Sequence, residues 1–180
     1  MKIISFRSLA ETDNAYFLPD TAMLRHGAPL FHPEGSDPWE LQPHLAIHIN
    51  RLGKGIPEKF ASRYFNAVSL ALLVRPTGSD YATTSLMAGM DDSIITSASI
   101  DSSSLPDRLE TTLEQTGLNI SLKVDPELIA RAIHIAAAHI TLKMGDIILL
   151  PPLADDIAPS IPLSPRSRIT LTGLLDLKVV

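Results

Sequence analysis

Hydrophobic and polar positions alternate most clearly over residues 41–50, LQPHLAIHIN. Read as a strand, this stretch places Gln42, His44, Ala46 and His48 on one face and Leu45, Ile47 and Ile49 on the other. Neither a carboxylate nor a cysteine shares the histidine face within the stretch, and the pattern stops at Gly53. KIISF predicts a first strand, and HGAPLFHPEGSDPWE, rich in Gly, Pro and Asp, a turn-rich loop around a short strand. IPEKFASRYF predicts a short helix over residues 57–66, with Pro57 in its first turn, Glu58 at its positive end and Phe60 and Tyr64 on one face.

VSLALLV predicts a buried strand ending before Pro76. Residues 76–104 are polar and rich in Ser and Thr, with IITSASI as a strand candidate inside them. NISLKV alternates, DIILL is a buried strand stopped by Pro151 and Pro152, and RITLTGLLDLKVV predicts a hairpin or bent strand. DPELIARAIHIAAAHI carries the clearest helical signal, with Asp125 as cap, Pro126 at the first helical position and Glu127 in the first turn. Many strands and two helices predict a mostly-β (α+β) fold in a single domain over residues 1–180.

Composition narrows the function. The 180 residues, 45% of them hydrophobic, suffice for one domain with an aliphatic core. The absence of cysteine excludes disulfides, thiolate metal sites and a cysteine nucleophile. A net charge of −5 without a basic run gives no reason to expect nucleic acid or a membrane as partner. The apolar run at the start of MKIISFRSLAETD is too short for a secretory core or a membrane span, so the expected location is the cytoplasm.

Several segments resemble the fumarylacetoacetate hydrolase family in a bacterial acylpyruvase-like form. PDTAMLRHGAPLFHP is similar to the family's substrate-side hairpin. HINRLGKGIPEKFASRYFNAVSLAL is similar to its strand–loop–helix–strand core, and ITLKMGDIILL to the strand that leads into its TGTP loop. NISLKV and LLDLKVV also fit. The resemblance implies a mixed β-sandwich roll with one main helix and a short one, often dimeric. It implies metal-assisted hydrolysis of C–C bonds in acylpyruvates, with magnesium or calcium held by oxygen ligands.

The functional positions depart from that pattern. The family's Glu-x-Glu pair falls on Gln42 and His44, and its Asp on Leu73, or on Leu72 in the neighbouring register. The water-activating His and Glu have no counterpart, the usual Lys before the hairpin proline is Leu18, ARD becomes Pro76–Gly78, and TGTP becomes Leu150–Leu153. What the resemblance leaves is a chain with no catalytic residue, no metal and no cofactor of its own, with His32, His48 and Arg75 as candidate lining of a residual pocket. The expected role is binding, assembly or regulation, as a homodimer, with an active relative, or with a small-molecule ligand. The alternative is a hydrolase or decarboxylase of a small keto acid, with a site rebuilt around Gln42, His44, His32 and a loop acid.

Other candidates are weaker on spacing alone. His44 and His48 lie about 13 Å apart along a strand, too far to share an ion. His134 and His139 are five residues apart, about 140° from a common helical face. The acid pairs Asp91–Asp92 and Asp155–Asp156 read as solvated loops, and Ser102 has no partnered His and acid.

Overall fold

The computed structural model describes residues 1–9, 15–34, 38–78 and 89–180. Parts of two sequence expectations, the HGAPLFHPEGSDPWE loop and the polar 76–104 stretch, lie outside these residues. Among the described residues the architecture is mostly β with one α-helix. In chain order the strands are β1 (Ile3–Phe6), β2 (Ala15–Leu18), β3 (Trp39–Ile49), β4 (Phe65–Pro76), β5 (Ile94–Thr96) and β6 (Ile100–Asp101). They continue as β7 (Arg108–Leu113), β8 (Leu118–Lys123), β9 (Ile147–Leu150), β10 (Ile161–Leu163), β11 (Arg168–Leu171) and β12 (Leu175–Lys178), with α1 (Pro126–His139) between β8 and β9.

Two sheets form. The larger runs β2-β1-β9-β3-β4-β5, with β10 also pairing β3 and β6 pairing β4; the smaller runs β12-β11-β7-β8. The sheet is mixed because β1 and β9 are parallel while β3 and β4 are antiparallel along nearly their whole length. The main apolar core draws on both sheets and α1. Leu41, Leu45, Ile47 and Ile49 of β3 enter it with Val68, Leu70, Leu72 and Val74 of β4. The opposite face of the large sheet is buried too, by a second cluster that includes Ala46, Ala71, Leu73, Ile94, Ile147 and Leu149. Burial on both faces explains why VSLALLV and DIILL read as continuous apolar runs rather than alternating ones.

α1 begins as the sequence predicts. Asp125 accepts hydrogen bonds from the N–H groups of Glu127 and Leu128, and Pro126 opens the helix where its missing N–H costs nothing. At fourteen residues, α1 is too short to cross a membrane, and no other helix is long and apolar enough to do so among the described residues.

Five expectations need correction. The short helix over 57–66 is a 3-10 turn, Glu58–Arg63, with Pro57 before it and Phe65 already in β4. Strand pairing wins there: Phe65 pairs with Ile49, and the Asn50 N–H donates to the Tyr64 carbonyl. In a three-residue turn, positions four apart no longer share a face. Tyr64 accordingly packs against Gly53, while Phe60 turns outward. β3 ends at Ile49 rather than near Gly53, and Gly53 instead bridges Leu142. IITSASI divides into β5 and β6. Among the described residues of the loop before Trp39 there is no strand; Leu30 makes an isolated bridge to Val179. β2, β7 and β10 were not predicted, and RITLTGLLDLKVV is a hairpin turning at Gly173, whose φ is +73°.

Candidate functional site

The β3–β4 ladder sets the geometry of the histidine face. Its register pairs Glu40 with Arg75, Gln42 with Leu73, His44 with Ala71, Ala46 with Ser69 and His48 with Ala67. Alternation puts all these side chains on one face, so Gln42, His44 and Leu73 are near neighbours. Leu72 points into the main core instead and is no member of the site.

A gap in the sheet sits beside this face. On the side away from β4, β3 pairs with β10 at Trp39–Leu41 and with β9 at Leu45–His48, leaving Gln42–His44 unpaired. Pro43, which has no N–H to offer a ladder, occupies the gap. β9 ends at Leu150, and the two prolines that follow cannot donate to an extended ladder. The His44 ring fills that break: its Nδ1–H donates to the Leu150 carbonyl at 3.0 Å. Nδ1 therefore carries the proton, and Nε2 is a buried acceptor with no partner among the described residues. Burial pushes the His44 imidazole down to about 4; the bond to Leu150 opposes that shift, and the Arg75 charge adds to it. His44 is neutral at pH 7.

The neighbours are equally committed. Glu40 carries a carboxylate on this face, one alternation before Gln42, but the Arg75 Nε–H donates to its Oε1 at 2.6 Å. Arg75 is thus the partner of Glu40 rather than free lining of a pocket. His48 Nε2 shares a 2.8 Å hydrogen bond with the Ser69 hydroxyl, and burial lowers the His48 pKa. The pair has the form of a serine–histidine dyad, yet Ser69 is fully buried in a central strand, where no substrate can reach it. His32 lies at the Trp39 end of the sheet, its Nε2–H donating to the Leu163 carbonyl at 3.3 Å. It does not join Gln42 and His44.

A hard divalent cation does not fit these residues. Such an ion needs several oxygen donors, with carboxylates to offset its dehydration. Here Gln42 offers one amide, His44 a neutral imidazole, and Leu73 and Ala71 only alkyl groups. Leu73 is 1% exposed and packs in the second apolar cluster with Ile94 and Ala71. Among the described residues, no three His, Asp or Glu side chains are grouped to hold a metal ion.

The loop after β9 is also closed. The Asp156 carboxylate accepts from the backbone N–H groups of Leu153 and Lys123, at 2.8 and 2.6 Å, and pairs with Arg108. The Asp155–Asp156 pair is therefore not simply solvated: Asp155 is exposed, whereas the covered Asp156 side chain ties Leu153 to β8. Glu40 and Ser69 were missed, and Asp156 was misread as solvated, because their roles depend on register and on partners distant in sequence.

No family model matches the chain, and no curated protein resembles it closely enough in sequence to count as a match. Solved structures do match it in fold. A 5-carboxymethyl-2-hydroxymuconate delta-isomerase from Mycobacterium smegmatis superposes with a TM-score of 0.76 at 21% identity, over 99% of this chain and 78% of the other. Maleylpyruvate hydrolase from Sphingobium sp. SYK-6, in complex with manganese(II) and pyruvate, gives 0.75 at 17% identity, over 99% and 70%. A Yersinia pestis CO92 protein ascribed to the fumarylacetoacetate hydrolase family gives 0.73 at 17% identity, over 99% and 93%. The chain has the fumarylacetoacetate hydrolase-like fold over nearly its whole length.

Proposed function

We propose that this fumarylacetoacetate hydrolase-like chain is catalytically silent and acts by binding, assembly or regulation in the cytoplasm. The observation that carries the reading is the closed β3–β4 face. Where the resemblance calls for three carboxylates, the chain has Gln42, a neutral buried His44 and the packed Leu73. The carboxylate that the described residues place on this face, Glu40, is held by Arg75. Among the described residues, neither the charge to hold a cation nor an accessible base to activate water is assembled there. A homodimer, a complex with an active relative, and a retained small keto-acid ligand are the partners this reading favours.

The rival reading is an enzyme with a rebuilt site, and one observation favours it: the buried His44 Nε2 has a free lone pair. One assay separates the two. The purified protein is offered acylpyruvates and oxaloacetate with and without magnesium or manganese, and metal binding is measured in parallel. The silent reading expects no turnover and no stoichiometric metal. Metal-dependent turnover that His44→Ala abolishes would overturn it in favour of the rebuilt enzyme.

A further inference from the structure

One end of the large sheet differs in charge from the rest of the molecule. There β1 and β9 begin, β3 ends and β4 begins, and three segments meet: residues 1–2, 50–64 and 141–146. Gly53 and Leu142 exchange backbone hydrogen bonds at 3.0 and 2.8 Å, which sets Leu52 beside Lys143 and Arg51 close to Met144. These segments carry Lys2, Arg51, Lys54, Lys59, Arg63 and Lys143, against only two acids, Glu58 and Asp146. Asp146 is spent: its buried carboxylate pairs with Lys2 and accepts from the Lys2 and Lys143 N–H groups. Arg51, Lys54 and Lys143 are exposed and make no ion pair with a described residue. In a chain of net charge −5, this concentration of cations is a polarity of the molecule rather than general basicity.

Among these cations stand large apolar side chains in water. Met144 is 78% exposed, on a tight turn, and Leu52 66%, next to the Gly53 bridge. Phe60, on the adjoining 3-10 turn, is held between Lys59 and Arg63, each 5.0 Å from its ring centroid. We propose that this end is a docking surface for an anionic membrane, with Leu52 and Met144 entering the headgroup region and Arg51, Lys54 and Lys143 facing acidic lipids. Single exposed apolar tips on two short connecting segments suit a deformable lipid surface better than a protein groove. A second copy in two-fold contact would set these cations against themselves. The proposal does not depend on whether the buried His44 face turns over a substrate.

The test is flotation of the whole protein with vesicles of phosphatidylcholine mixed with phosphatidylglycerol, and with phosphatidylcholine alone. Binding is expected only to the anionic vesicles, and molar salt should weaken it roughly tenfold or more. The exposed pair Arg51→Glu with Lys143→Glu should abolish binding. Leu52→Ser with Met144→Ser should weaken it while leaving the charge and the melting temperature unchanged. No binding to the anionic vesicles overturns the proposal and leaves the face to an acidic protein. Binding that survives both pairs of substitutions also overturns it. So does a dimer, seen by light scattering, that the apolar pair converts to monomer, since the face would then be an interface between copies.

Discussion

The His44 Nδ1–H donates to the carbonyl of Leu150, joining the middle of β3 to the last residue of β9 where the ladder between them stops. A side chain thus completes a break in the sheet. His44→Ala would leave the Leu150 carbonyl unpaired and a void against Ala71, and should cost about 2–4 kcal/mol. His44→Leu keeps most of the volume and loses only the bond, so its cost should be smaller, about 1–3 kcal/mol. Urea denaturation of both variants checks the order; equal stability of His44→Ala and the parent would remove the bond from the structural account.

The same burial makes stability depend on pH. The folded His44 pKa is lowered from 6.5 to about 4, so between those values the unfolded chain binds the proton and the folded chain does not. Stability therefore rises with pH across this window and is lost as pH falls from 6.5 towards 4. The full span is worth about 3 kcal/mol. His48, lowered in the same direction by burial, adds with the same sign. Unfolding free energies measured from pH 4 to 7 should show this slope, and His44→Leu should flatten it. An unchanged slope in the variant would place the pH dependence elsewhere.

The parts of this structure visible in the sequence are those set by local chemistry. Asp125, Pro126 and Glu127 announce α1 because a cap and its helix are adjacent in the chain. The two-residue period of LQPHLAIHIN correctly separates Gln42, His44 and His48 from Leu45, Ile47 and Ile49, because a strand allows no other arrangement. β7, RLETTL, stayed hidden because Thr111, one of its three buried alternate positions, is polar and breaks the apolar alternation, and β10 because IPL is short and set among prolines. The site was half legible. Which groups share the face followed from periodicity, but what they bond did not: Glu40 meets Arg75, His48 meets Ser69 and His44 meets Leu150 across 35, 21 and 106 residues.

Asp155 and Asp156 are neighbours in sequence with opposite roles. Asp156 accepts from two backbone N–H groups and Arg108, and its side chain is 3% exposed; Asp155 is 62% exposed and lies 3.8 Å from Arg108. Asp156→Ala strands buried donors and should cost about 3 kcal/mol. Asp155→Ala should change stability by less than about 1 kcal/mol, as exposed pairs usually do. Thermal or urea unfolding of the two single variants decides it, and similar losses in both would mean that the Asp156 bonds add little.

Restoring the lost acids should restore a response to metal but not turnover. Gln42→Glu, His44→Glu and Leu73→Asp together place three carboxylates on one face, the first and last directly opposite each other across β3 and β4. Without a cation they repel, and the one at position 73 replaces a side chain buried among Ile94 and Ala71. The triple variant should therefore lose several kcal/mol, on the order of 3 or more, relative to the parent. A cation that binds only the folded form returns part of this through mass action, so the melting temperature should rise with added magnesium, and no such rise is expected in the parent. Hydrolysis of acylpyruvates should stay absent. The three new carboxylates are committed to the cation, His48 is engaged with Ser69, and the loop from Leu150 to Leu153 is held by Asp156. Melting curves with and without magnesium, followed by an acylpyruvate assay, read both halves. A stable triple variant that ignores magnesium would show that these three positions do not converge, and measurable hydrolysis would show that another group of this chain supplies the base.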